Sequence, residues 1–210
     1  MLIKGLHESV LKGNTQETRQ AAKKVLDDGI SPVACISSLT EVMADVGDKF
    51  SRLEIFLPEM MQAGENMTAA VEVLSSGLKA GESIAKKGKI IIGTVKSDLH
   101  EIGKNIVKLM LDTNGFEVID LGYDVDCTTF INEAETAGAD VIAMSSLMTT
   151  TMPFQEEVIN MLKDKSIRDK YKIVIGGAPT NQQWANEIGA DLYCTDAGSA
   201  PNQISELIGS

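Results

Sequence analysis

Histidine is scarce in this chain of 210 residues: there are two, His7 and His100. Any imidazole chemistry in the C-terminal part therefore falls to His100. Cysteine is sparse as well. Cys35, Cys127 and Cys194 are far apart, odd in number and in no Cys-x-x-Cys spacing, which suggests neither a disulfide framework nor a zinc site. No apolar run approaches the roughly 18 residues that span a bilayer, and Met1 to Val10 carries charges and a histidine where a leader peptide needs an apolar core. A cytoplasmic protein, away from membranes, is expected. Positive charge is also in deficit: 19 Lys and Arg stand against 30 Asp and Glu, a net charge of −11. Nucleic acid is therefore not an expected partner, because binding phosphates needs clustered basic side chains.

What is present divides in two. From Leu2 to about Leu78 the apolar spacing is helical throughout. Leu2, Leu6, Val10 and Leu11 share one face, and Thr15 is placed to cap the next helix, with its stripe of Ala21, Ala22, Val25 and Leu26. Ser31-Pro32 opens a third helix carrying Ile36, Leu39, Val42, Met43 and Val46. Leu57-Pro58 opens a fourth, with Met60, Ala63, Met67, Ala70, Val71 and Leu74. Four short amphipathic helices with tight connections predict a bundle. The glycine- and lysine-bearing stretch from Ser75 to Gly88 reads as a helix end and a linker, which puts a boundary near residue 85 and gives domains 1–85 and 86–210.

Beyond the linker, strand and helix patterns alternate. Strands are expected at Ile90–Ile92, Phe116–Leu121, Val141–Met144, Ile173–Ile175 and Asp191–Cys194. Helices are expected at Ile102–Leu111, Thr128–Ala137, Pro153–Lys163, Asn181–Ile188 and Ala200–Ile208. Such alternation predicts an α/β fold: a flavodoxin-like, doubly wound, five-stranded parallel sheet with ligands at the carboxyl ends of the strands.

The loop leaving the first strand holds Asp98-Leu99-His100. A neutral imidazole can bind a metal through one nitrogen while a carboxylate takes the proton on the other. The three residues alone are equally compatible with a solvent-exposed loop histidine whose aspartate neighbour caps a helix. Gly103, the segment Ser145-Ser146-Leu147 and the pair Gly176-Gly177 change that balance. With Asp98 and His100 they resemble the cobalamin-binding signature Asp-x-His-x-x-Gly, Ser-x-Leu and Gly-Gly, spaced as that family spaces them. The resemblance extends to the N-terminal part. Gly47-Asp48-Lys49-Phe50 and Phe56-Leu57-Pro58-Glu59-Met60-Met61 are similar to the helical cap that precedes this domain in corrinoid methyl-carrier proteins of anaerobic methyltransferase systems and in methionine synthase.

The resemblance implies a cobalamin cofactor, methylcobalamin or a related corrinoid, with His100 as the cobalt ligand. It implies that Asp98, Leu99, Gly103, Leu147, Gly176 and Gly177 line the site, and that Ser145 donates to the benzimidazole of the nucleotide tail. Thr149 and Thr150 add hydroxyls, and Thr151 continues a relay from His100 and Asp98. Tyr193 and the Asp196-Ala197-Gly198 turn lie toward the tail, and Phe50 and Leu57 shield the upper face. It further implies methyl transfer between a donor-specific methyltransferase and an acceptor methyltransferase using tetrahydrofolate or coenzyme M, with a reductive activator. No catalytic acid or base is recognisable in the chain itself. A cobalamin-dependent regulator or sensor is the alternative. A nicotinamide enzyme would need G-x-G-x-x-G after the first strand, and a phosphate-accepting receiver an aspartate where Ser145-Ser146 stands.

Overall fold

The computed structural model describes residues 2–78 and 86–209. The chain forms two compact units, Met1–Ala85 with Thr113–Gly115, and Lys86–Asp112 with Phe116–Ser210. The expected linker falls largely on residues 79–85, outside the described residues.

The first unit is a four-helix bundle of α1 (Leu2–Lys12), α2 (Thr15–Asp27), α3 (Pro32–Ser51) and α4 (Leu57–Ser75). Asn14, one residue before the expected Thr15, caps α2: its side chain accepts from Glu17 N–H, and Glu17 accepts from Asn14 N–H in return. Asn14 has the extended backbone of a cap, which leaves Thr15 as the first helical residue, and the Thr18 hydroxyl donates to Ser9 O of α1. The predicted stripes form the core, with Leu6, Val10, Leu39, Met43, Met60 and Leu74 fully buried. Asn66 is buried among them. Its amide donates to Val10 O at 3.0 Å and Gly13 O at 2.9 Å, satisfying the carbonyls that end α1.

The second unit contains strands β1 (Lys89–Thr94), β2 (Glu117–Asp120), β3 (Val141–Ser145), β4 (Lys172–Gly176) and β5 (Leu192–Tyr193), all parallel, in the order β2-β1-β3-β4-β5. The flavodoxin-like expectation is met. Helices α5 (Ile102–Thr113), α6 (Cys127–Ala137), α7 (Pro153–Asp164), α8 (Gln182–Ile188) and α9 (Ala200–Ile208) cover both faces. Ile91, Ile142, Ile173 and Ile175 pack on one face with Phe130 of α6, Val158 and Leu162 of α7, and Ile188 of α8. Ile90, Ile92, Ala143 and Val174 face the other way, toward Leu111 of α5 and Ile204 of α9. The period-2 alternation of each strand thus feeds two cores.

This winding fixes the position of the site. Neighbouring strands β1 and β3 send their chains to opposite faces, β1 into α5 and β3 into α7. The carboxyl ends of these two strands are thus the sheet's switch point, where ligands of this fold bind.

Candidate functional site

The loop after β1 is built by the one after β2. Val95 bridges Val125, and Ser97 N–H donates to the Asp124 carboxylate at 2.7 Å. Asp124 N–H in turn donates to Asp98 O at 3.1 Å. Ser97 and Asp124 both sit in the left-handed region, at φ 63° and 54°. Such conformations cost energy for residues other than glycine and persist where surrounding bonds over-determine them, often at functional sites.

Asp98 is wholly buried, and its carboxylate is fully used. Oδ1 accepts from His100 N–H at 3.1 Å and lies 2.7 Å from His100 Nδ1. Oδ2 accepts Leu147 N–H at 2.7 Å and the Thr151 hydroxyl at 2.8 Å. Burial by itself would raise the Asp98 pKa. The bonds from the Leu147 amide, the His100 ring, the Thr151 hydroxyl and the His100 amide outweigh it and bring the pKa down to about 2. In a neutral ring the ionised carboxylate takes the proton on Nδ1, which leaves the Nε2 lone pair free to bind a metal, on a side chain that is 51% exposed.

The expected relay of His100, Asp98 and Thr151 is therefore assembled. It is longer by one member, since the buried Ser146 hydroxyl lies 2.8 Å from Thr151 Oγ1. Ser145 ends β3 between Thr94 and Gly176, and its hydroxyl makes no hydrogen bond among the described residues. Thr149 and Thr150 are exposed in the turn before α7, and neither hydroxyl joins the network among the described residues. Gly103 is exposed, with open space where a side chain would be. Ala197 is half-buried after β5. The two glycines after β4 differ. A Cβ on Gly176 would make ordinary contact, whereas one on Gly177, at φ 126°, would lie 1.7 Å from Ser146 O. Gly177 is thus required by the close crossing of the loops after β3 and β4.

Two supporting residues of the α/β unit escape a reading of the sequence, because polar side chains on helices look like solvent-facing ones. Gln155 of α7 is buried and donates to Met144 O and Gly176 O, tying the ends of β3 and β4, while its Oε1 accepts from the Trp184 indole. Lys104 of α5 has a fully buried ammonium 2.6 Å from Asp120 Oδ1 at the end of β2, and Asp120 Oδ1 also accepts Gly122 N–H at 2.9 Å. Ile102, the first residue of α5, is 76% exposed.

Ile102 belongs to a pattern. The large hydrophobic side chains exposed in the α/β unit are Leu99, Ile102, Tyr123 and Leu147. All lie in or at the ends of the loops following β1, β2 and β3, at the sheet edge that carries His100. Among the described residues no group of three or more His, Cys, Asp and Glu is placed to hold a metal ion. A single imidazole in an apolar collar suits a metal that brings its other ligands in a macrocycle, and a corrinoid fits that donor set.

In the helical unit, Phe50 lies in the last turn of α3 and Leu57 opens α4, both half-buried. Leu53 and Phe56, between them, are far more exposed.

Residues 88–204 match the B12 binding domain family, and residues 2–75 match a second family of the same description. The chain belongs to the B12-binding proteins. Its cofactor is a corrinoid, and its two-part organisation of helical bundle and Rossmann-like sheet is that of the family. The chain is 47% identical over 166 residues to dimethylamine corrinoid protein 3 of Methanosarcina mazei, covering 79% of this chain and 99% of the relative. It is 40% identical over 211 residues to trimethylamine corrinoid protein 2 of Methanosarcina acetivorans, covering 100% of this chain and 97% of the relative. Among solved structures, it resembles the methanol:cobalamin methyltransferase complex MtaBC of Methanosarcina barkeri, with a TM-score of 0.89, 27% identity and coverage of 100% of this chain and 80% of that one. It also resembles a cobalamin-binding protein of Desulfitobacterium hafniense, with a TM-score of 0.80, 27% identity and 98% coverage of both chains. Among the described residues, no helix is long and apolar enough to cross a membrane.

Proposed function

We propose that this B12-binding protein carries a methyl group between two methyltransferases, one that loads it from a donor and one that unloads it to tetrahydrofolate or coenzyme M, with a reductive activator restoring it. The observation that carries this reading is the buried Asp98 holding the His100 ring so that Nε2 is free within an apolar collar. A bound corrinoid supplies a cobalt centre able to accept a methyl group and give it up again. The residues of the chain bind, orient and exclude water. Asp98 keeps the ring proton on Nδ1, Leu147 N–H and Thr151 keep Asp98 ionised, and Leu99, Ile102 and Leu147 would pack on a bound corrinoid and keep water from His100.

In the same reading Ser145, with its uncommitted hydroxyl, receives the nucleotide tail beside Gly176 and Gly177. Thr149, Thr150, Gly103 and Ala197 flank it, and residues 1–85 act as a cap whose Phe50 and Leu57 shield the upper face. The relatives named for dimethylamine and trimethylamine favour a methylamine as donor. A cytoplasmic location accords with three free cysteines.

Equilibrium dialysis against cobalamin should give one cofactor per chain, and absence of binding overturns the reading. Carrying is tested separately. The reduced holoprotein, incubated in separate assays with a methyltransferase specific for dimethylamine, trimethylamine or methanol and that enzyme's own radiolabelled donor, should acquire label in a methylamine assay. A protein that binds cobalamin but takes label from no methylated donor is a sensor instead.

A further inference from the structure

The loop after β2 holds none of the residues by which the B12-binding signature is recognised, yet among the described residues it presents the one aromatic ring of the exposed large hydrophobics of the α/β unit. We propose that Tyr123 packs its ring against the corrin macrocycle, making this loop a third wall of the cofactor surface. The inference rests on the corrinoid site placed at His100.

The backbone on both sides of Tyr123 is pinned to the loop that carries His100. Gly122 O accepts Thr94 N–H at 2.9 Å, and Asp124 N–H donates to Asp98 O at 3.1 Å. Gly122 N–H donates to Asp120, whose carboxylate is held by the buried Lys104 ammonium. Gly122 and Asp124 are both left-handed, at φ 81° and 54°. The residue between them therefore stands on a pinned turn rather than a free loop. Tyr123 is 51% exposed, and its hydroxyl meets no hydrogen-bond partner among the described residues.

A large ring held half in water on a fixed backbone gains by covering a flat apolar partner. Leu99, Ile102 and Leu147 are the other exposed hydrophobics at this sheet edge, on loops bonded to Asp98 or continuous with it, so an occupant broad enough to cover that edge reaches Tyr123 as well. The contact is apolar, made by the face of the ring; the phenol oxygen is not required.

Cobinamide lacks the nucleotide tail and isolates contacts to the macrocycle. Wild-type protein and the variants Tyr123→Phe, Tyr123→Ala and Tyr123→Gln are titrated with cobinamide, and the cofactor-free proteins are melted in parallel. Removing the ring should weaken cobinamide roughly tenfold in the alanine and glutamine variants, from loss of about half a tyrosine's contact area. The phenylalanine variant should bind as wild type, and all four melts should coincide, since the side chain is outside the core. Equal affinity in all four proteins overturns the inference while leaving the site at His100 intact. A phenylalanine variant as weak as the alanine one overturns it too, by showing that the hydroxyl carries the contact. Failure of the wild type to bind both cobinamide and cobalamin instead removes the corrinoid site on which the inference stands.

Discussion

The Asp98 carboxylate accepts the backbone N–H of Leu147 at 2.7 Å, so the loops after β1 and β3 are joined through one buried negative charge. The same carboxylate orients His100. Joining the loops at the sheet's switch point and presenting the metal ligand are thus one interaction, and losing the charge should be felt in both.

Acid should expose that coupling in the cofactor-free protein. With Asp98 at about 2 in the folded chain, below the ordinary carboxylate value, its contribution is full above about pH 4 and lost as pH falls through 2. That contribution is on the order of 2 kcal/mol. In Asp98→Asn the amide nitrogen confronts the donors at Leu147 or His100, and no charge remains to titrate. Urea unfolding at pH 6, 4 and 2.5 should show the wild type ahead at pH 6 and the gap narrowing toward pH 2.5. A gap that stays constant with pH would show that Asp98 is not held ionised by this network.

His100→Ala should separate ligation from folding. The ring is half-exposed and its removal empties no core position, so the melt should shift little. Cobalamin should still bind through the remaining surface, more weakly. Electron paramagnetic resonance of the Co(II) form should lose the nitrogen coupling of a protein imidazole. Coupling that persists would exclude His100 as the ligand.

Gly177→Ala tests the crossing of the loops after β3 and β4. The new methyl would meet Ser146 O at 1.7 Å and require an L-residue at φ 126°. Neither can relax without breaking the bond from Ser146 N–H to Gly176 O. A loss of about 3 kcal/mol or more is expected in urea unfolding. Gly176→Ala, where the methyl finds 3.7 Å of clearance from Cys194 O, should cost much less. Equal losses would place the constraint elsewhere.

Patterns with a period were legible before the structure. Ile90 to Ile92 and Val141 to Met144 read as buried strands, and the alternation of five such runs with helices led to the observed strand order. Asp98 and His100 stood out because their spacing repeats a known motif, and Thr151 because the resemblance puts it where relatives carry a hydroxyl. Asn66, Lys104 and Gln155 were not, because a buried polar residue on a helix shows its role only through a partner far away in sequence, such as Val10, Asp120 or Met144. Ser146 was passed over for its neighbour Ser145, since only the fold shows which hydroxyl turns inward toward Thr151. Tyr123 carried no signal at all. It stands between two left-handed residues in a loop that only the fold places beside Asp98.

Leu53 offers a test of strain in the helical unit. It follows the C-cap Arg52 of α3 at φ 59°, where Leu53 N–H donates to Phe50 O and Glu54 N–H to Lys49 O, closing the helix in the manner for which glycine is preferred. A leucine there bears the clash of its Cβ with the carbonyl, roughly 1 kcal/mol. Its side chain is 77% exposed and gives back little by packing. Leu53→Gly should therefore stabilise the protein by about 0.5 to 1 kcal/mol, less what glycine adds to the freedom of the unfolded chain. Leu53→Ala keeps the strain and should leave stability near wild type. Thermal melts of the two variants, with and without cobalamin, decide the matter. A glycine variant that melts lower than the alanine one would show that the side chain is packed in solution and that the turn is not strained.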